Sequence, residues 1–344
     1  LQRAQAAIRE ARQLAGKNNR SAADDARIAE LIATARNQLP FPFDPRAIDA
    51  VVLSHAHIGH CGRLPLLVWR GFTGPIYTNA ACADLVPILL RDSAHLASRE
   101  AERMNRGLPE AEHVAAWFDV DDVERAVRQL RPISYDTQHG IVEGVTARVR
   151  DAGHIMGSSS VEIDVTENAA GRRLVFSGDL GQYGTPILKD PWTFDSADLV
   201  LMESTYGDRR HRGRDDTERE LGEILAQAAR DGGNVLVPAF AIGRSQELLY
   251  LLAKNYAAWR VDRWGIFLDS PMAIAASQVY WKHRDRHDEE ARRLRSSFRG
   301  MPPLPNLTLC ETADGSRAIN NVRAGAIIIA GSGMANGGRI LHHL

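Results

Sequence analysis

Val51-Val52-Leu53-Ser54-His55-Ala56-His57-Ile58-Gly59-His60 opens as a short β-branched run and closes with three histidines inside six residues. On an extended segment side chains alternate, so His55 and His57 project to the same side. His60 falls where the chain turns into the helix that follows. Imidazole nitrogens bind zinc at about 2.0–2.1 Å, and three of them at the end of a buried strand suit that ion. One histidine alone would read as an ordinary core or surface residue; the cluster points to a metal.

Other runs share the texture of Val51–Leu53. Leu174-Val175-Phe176, Leu199-Val200-Leu201-Met202, Val235-Leu236-Val237, Ile266-Phe267-Leu268 and Ala326-Ile327-Ile328-Ile329 are apolar enough to predict strands covered on both faces, in an α/β protein. Small and polar residues follow them: Gly178-Asp179, Glu203-Ser204, Pro238-Ala239, Asp269-Ser270 and Gly331-Ser332-Gly333. Open α/β sheets place their sites at such carboxyl ends. Helices are expected over 82–105, 120–130, 215–231, 244–258 and 272–298. The Ala-, Arg- and Gln-rich stretch Leu1–Pro40 predicts one or two solvent-washed helices broken near Gly16-Lys17-Asn18-Asn19, and Pro40-Phe41-Pro42-Phe43-Asp44-Pro45 marks a linker that closes an N-terminal helical segment over 1–44.

The 344 residues suggest about two domains. With 42 Lys and Arg against 43 Asp and Glu, the net charge of −1 announces no nucleic-acid partner, although a local basic cleft is compatible with it. Cys61, Cys82 and Cys310 are odd in number and scattered, which fits a reducing compartment. No membrane-length apolar run or signal-peptide pattern is present, so the expectation is a soluble, cytoplasmic protein with no membrane partner.

Two further segments complete a coordination set. Asp151-Ala152-Gly153-His154 puts a histidine beside glycine, and Ser177-Gly178-Asp179-Leu180-Gly181 puts a carboxylate between glycines at a strand end. With His55-Ala56-His57-Ile58-Gly59-His60-Cys61-Gly62-Arg63-Leu64-Pro65, Met202-Glu203-Ser204-Thr205-Tyr206-Gly207, Pro238-Ala239-Phe240-Ala241-Ile242-Gly243-Arg244-Ser245-Gln246-Glu247, Asp269-Ser270-Pro271-Met272-Ala273 and Gly331–Arg339, the order of motifs resembles the metallo-β-lactamase superfamily in its β-CASP nuclease branch. It is most similar to the cleavage-and-polyadenylation-factor type of RNA nucleases of bacteria and archaea. The resemblance covers nearly all of residues 45–344. It implies an αββα metallo-β-lactamase sandwich over 45–203, incomplete, and an α/β β-CASP cap over 204–344. It further implies that His55, His57 and His154 hold one zinc, that Asp179 bridges to a second zinc also bound by His60, and that Glu203 supports the histidines beside the scissile phosphate. Asp179 and Glu203 are the expected catalytic residues.

The chain departs from the family pattern in three respects. Where the family carries an aspartate two residues after the second histidine, this chain has Gly59, which can neither bind a metal nor orient water. The family fold begins with several strands before the histidine cluster, where this chain has its helical stretch. Its members also continue past the glycine motif into segments that supply two more histidines, which His342 and His343 do not match. The second zinc site is therefore expected to be weak or empty, and hydrolysis reduced.

Expected substrate-binding residues are Arg244, Ser270, Ser332, Gly333 and Met334. Gly331-Ser332-Gly333 can present backbone N–H groups to a phosphate, and Arg244 opens a helix, where the dipole also favours anions. Arg209, Arg210, Arg212 and Arg214 form a basic run that reads equally as a solvated loop or an RNA contact. Aromatic residues make up 6%, which favours backbone recognition over extensive base stacking. The resemblance thus implies a zinc-dependent RNA phosphodiesterase, endonucleolytic, acting on single-stranded RNA, with a homodimer as its expected assembly. The rival readings are a catalytically impaired RNA-binding or nuclease-partner homologue, favoured by Gly59, and a small-molecule metallo-hydrolase, disfavoured by the cap motifs.

Overall fold

The computed structural model describes residues 40–110, 113–168, 170–296 and 304–344, with residues 10, 11, 13–15, 17, 21–28 and 31 before them. The chain forms two compact units. The smaller takes Leu1–Asp49, Arg63–Gly74 and Ser93–Arg128, the larger Ala50–Gly62, Pro75–Asp92 and Gln129–Leu344.

In the smaller unit, residues 10, 11, 13–15, 22–28 and 31 are helical, and Ala11, Leu14, Ile28 and Leu31 pack together. The rest of the helices expected over residues 1–40, including most of their break, lies outside the described residues. Residues 40–44 are non-helical, as their prolines require. The Arg63 guanidinium lies 4.2 Å from the Phe41 ring centroid, and the short helix Leu64–Trp69 packs on Val120–Arg128.

The larger unit holds three sheets. Strands β1 (Val51–Val52), β2 (Ile76–Asn79) and β3 (Leu130–Ile133) form a parallel sheet. Strands β4 (Gln138–Val142), β5 (Val145–Asp151), β6 (Ser159–Glu167) and β7 (Ala170–Phe176) run antiparallel, and β8 (Leu199–Leu201) adds parallel to β7. Val149 and Val161 of the second sheet pack with Ile133, Val52 and Tyr77 of the first, so the two sheets share one apolar layer.

The third sheet is wholly parallel, in the order β11 (Leu307–Leu309), β10 (Gly265–Asp269), β12 (Ala326–Ala330), β9 (Val235–Pro238). Its strands obey the two-residue alternation. Ile266, Leu268, Ile327 and Ile329 face a core shared with Leu225, Leu249, Leu252 and Ile274. Phe267, Ile328 and Ala326 face the opposite cluster with Cys310 and Ile319. Both faces are covered, as a parallel sheet requires. Among the described residues no helix is long and apolar enough to cross a membrane.

Three expectations need correction. Of the run Leu199–Met202, Leu199–Leu201 form a strand but are not covered: all three are about half exposed. As the last strand of its sheet, β8 has a neighbour on one side only. The helix expected over 272–298 is two helices, Pro271–Lys282 and Glu289–Ser296. His287 is fully buried with Nε2 on the Tyr280 carbonyl at 2.8 Å, and Asp288 caps the second helix through Ala291 N–H at 2.6 Å. Residues 297 and 298 lie outside the described residues. The helix expected over 244–258 ends at Lys254, in a turn built on Asn255.

Candidate metal centre and cleft

Three strand ends deliver the site. The chain leaves β1 through Ser54, whose Oγ lies 3.1 Å from His55 Nδ1 and so turns His55 Nε2 away from it. His154 sits just past β5, in a loop where Ser158 Oγ accepts the N–H groups of His154 and Ile155 at 3.1 and 3.2 Å. Asp179 follows β7. Its loop is pinned to the His154 loop by Gly181 N–H donating to the Ala152 carbonyl at 2.8 Å. A side chain at Gly181 is impossible as the loops stand, because a Cβ would lie 1.8 Å from Gly153 O. Gly178 adopts φ +57°, and its Cβ would meet Ser159 O at 2.8 Å.

These loops bring together His55, His57, His154 and Asp179, one ligand atom from each lying within 4.8 Å of the others. His57 Nδ1 is 3.1 Å from His55 Nε2 and 3.1 Å from His154 Nε2. Asp179 Oδ2 lies 3.4 Å from His55 Nε2 and 3.6 Å from His154 Nε2. A ring nitrogen carries either one hydrogen or one in-plane lone pair, so His57 Nδ1 cannot make good hydrogen bonds to two imidazoles at once. A shared cation resolves this, since donors about 2.0–2.1 Å from a tetrahedral zinc stand about 3.3–3.4 Å apart. Burial, reinforced by the neighbouring imidazoles, pushes His55 down to about 2 and His57 to about 4. Burial also lowers His154, against the opposing pull of Asp179 and Glu203. All three are neutral at pH 7, the form in which imidazole binds a metal. The donor set fits zinc.

His60 falls outside that four-residue set, although its ring centroid lies 4.0 Å from that of His55. Its Nε2 approaches the other oxygen of Asp179, Oδ1, at 3.1 Å. Asp179 therefore faces His55 and His154 with one oxygen and His60 with the other. Gly59 directly precedes His60 in the chain, and a Cβ placed there meets nothing within 4 Å. Glu203 Oε1 accepts Leu180 N–H at 2.6 Å, and Glu203 N–H donates to Ser177 Oγ at 3.0 Å. Its carboxylate thus holds the backbone immediately after Asp179.

His57, His154, Asp179 and Glu203 line a cleft of about 350 Å³ whose other walls include Tyr206, Arg214, Phe240, Arg244 and Glu247. Of the expected substrate contacts, only Arg244 lines it. Ser270 instead caps the helix Pro271–Lys282, its Oγ accepting Ala273 N–H at 3.2 Å. Ser332 Oγ donates to Asn336 at 2.7 Å, and Met334 is 71% exposed. Gly333 lies flush behind Phe240, where a Cβ would come within 2.9 Å of the ring. Within the basic run, Arg209 pairs with Asp208 and Arg212 with Glu220 on the surface, whereas Arg214 turns into the cleft. Sequence reasoning left Glu247, Tyr206 and Phe240 unassigned, although all three lie within the quoted motifs. His343 is structural, with Nε2 2.8 Å from the buried Asp269.

The sequence profile of the metallo-beta-lactamase superfamily matches residues 34–239, and that of the Beta-Casp domain residues 245–344. The chain is 39% identical over 312 residues to a ribonuclease of Thermus thermophilus, covering 90% of this chain and 67% of that protein. An RNase J-like protein of Methanocaldococcus jannaschii is 28% identical over 304 residues, covering 88% of this chain and 64% of its own length. A transcription termination factor of Lokiarchaeum is 29% identical over 323 residues, covering 91% and 48%. The chain spans about two thirds or less of the length of these curated relatives. With the profile spanning most of the chain and the donor set at its strand ends, the chain belongs to the metallo-beta-lactamase superfamily and carries a Beta-Casp domain.

Proposed function

We propose that this chain is a zinc-dependent RNA phosphodiesterase that cuts single-stranded RNA internally and is weakened by Gly59. The observation that carries the reading is the His55–His57–His154–Asp179 set opening into a cleft with two arginines on its wall. The name of the Thermus thermophilus relative supports RNA as the substrate. Zinc, when bound, supplies a Lewis acid for a phosphoryl oxygen and lowers the pKa of water.

His55, His57 and His154 hold that ion through the nitrogens that converge, and Asp179 Oδ2 completes the set. Asp179 Oδ1 and His60 offer a second position with two of the four ligands zinc usually takes. Glu203 fixes the Asp179 loop through Leu180 N–H. Exposed Tyr206 and Phe240 on the cleft wall offer ring faces to unpaired bases, which favours a single strand. The division at 44 and 203, a cytoplasmic location and a homodimer belong to the same proposal. Gly59 favours one rival, a non-cleaving RNA-binding subunit.

The test is cleavage of a single-stranded RNA by the parent chain and by Gly59→Asp, each with and without chelator. Weak, chelator-sensitive cleavage that rises at least tenfold in the variant is expected. Binding without any cleavage in the parent supports the rival, and robust equal cleavage by both removes the role given to Gly59.

A further inference from the structure

Helices Arg214–Asp231 and Arg244–Lys254 each begin with an arginine, and both arginines line the cleft that holds the metal-binding set. One carboxylate joins them. Arg214 Nη1 donates to Glu247 Oε1 at 2.6 Å, and Arg244 Nη1 donates to Glu247 Oε2 at 2.6 Å. Arg214 Nη2 also donates to Thr185 Oγ1 at 2.8 Å, while its buried Nε has no partner.

If Glu247 served only to staple the two helices, one arginine would neutralise it. Here two guanidiniums share one buried carboxylate, leaving a surplus positive charge. Exposure decides which charge the cleft presents. The Glu247 side chain is 11% exposed, against 29% for Arg214 and 55% for Arg244. The carboxylate is covered and the guanidiniums face solvent, fixed in place before any ligand arrives. Such planar donors on helix N-termini match phosphate oxygens. A second cavity shares Thr185, Arg214 and Glu247, and Asp190, Asp215, Glu218, Asp288 and Glu290 line it. Lys189 and Lys254 line it as well, but the acidic residues outnumber them, so that cavity is net acidic and disfavours a phosphodiester chain, while the arginine pair stands on the metal side of it.

We infer that Arg214 and Arg244, bridged by Glu247, form a subsite for one backbone phosphate of a single-stranded RNA lying in the metal cleft. The inference rests on the proposed function for the identity of the ligand and deepens it by naming a contact away from the metal ligands.

The test is binding of a fluorescent oligouridylate of about ten nucleotides, read by anisotropy over a salt series in chelator, so that no cleavage intervenes. Arg214→Gln and Arg244→Gln are each expected to weaken binding about tenfold. The double variant should reduce the slope of log K against log salt by about 0.7, the value for one phosphate on a single strand. Arg212→Gln removes the same charge from a residue paired on the surface and should bind like the parent. Absence of binding by the parent, or equal losses in Arg212→Gln and Arg214→Gln, overturns the subsite. If Arg214→Gln does not fold, the half-exposed Arg244→Gln decides alone. Arginine-dependent binding by a parent that never cleaves RNA would refute the hydrolytic reading and leave the subsite standing.

Discussion

Gly59 directly precedes His60, whose Nε2 faces Asp179, and a Cβ placed at Gly59 meets nothing within 4 Å. Its backbone does not lie in the left-handed region, so a residue with a Cβ is sterically admissible there. Gly59→Asp should therefore fold normally, with a stability change within about 0.5 kcal/mol. On the proposed reading it gives the half-site a third ligand, and zinc content measured on dialysed protein should rise from about one per chain toward about two. Unchanged metal content in a folded variant would show that the gap is not a missing ligand. The histidine cluster was legible because three imidazoles in six residues have few other uses. The Arg214–Glu247–Arg244 bridge was not, because residues 33 apart in sequence meet only through the packing of two helices.

Two loops form one element of the site, and their contact explains the glycines around the ligands. Gly181→Ala would drive a methyl into Gly153 O and force apart the loops that carry His154 and Asp179. It should cost about 3 kcal/mol and lower zinc affinity together with thermal stability, as denaturant titration and competition with a chromophoric chelator would reveal. A stable variant with native metal affinity would refute this. On the cleft wall, Phe240 is 56% exposed, and stacking one base on it predicts about a tenfold loss of single-stranded RNA affinity in Phe240→Ala, with the salt slope unchanged.

At the carboxyl end of β10, Asp269 is buried. Burial pushes its pKa up, but hydrogen bonds from Ser316, His343 and Arg339 prevail and hold it below the usual carboxylate range. A depressed folded pKa stabilises above the unfolded value of about 4 and is lost as pH falls through the folded one. Asp269→Asn should therefore cost about 3 kcal/mol at neutral pH, and its deficit should shrink as pH falls below about 4, measured by urea unfolding across pH. The strands themselves were legible from apolar runs. The exposure of β8 was not, since Leu199-Val200-Leu201 reads the same with or without a neighbour over it. Nor was the break at His287, which contains neither Gly nor Pro and depends on a buried tertiary contact with Tyr280.

At the scale of the molecule, the four ligands of the first site come from segments as far apart as residues 55 and 179, all in the larger unit. None of these segments holds the geometry alone, so a metal that binds the set binds the folded unit and not the unfolded chain. Zinc at about 100 times its dissociation constant should then add about 2.7 kcal/mol to stability. For a unit of this size that is a rise in Tm of roughly 4–8 °C over chelator-treated protein, read by calorimetry. His57→Ala removes the nitrogen that two other imidazoles face, so its Tm should be nearly indifferent to zinc. His60→Ala leaves the buried set whole and should keep most of the rise. If His57→Ala and the parent respond alike, zinc binds elsewhere. Loss of the response in His60→Ala alone would place the tighter site at the exposed half of Asp179.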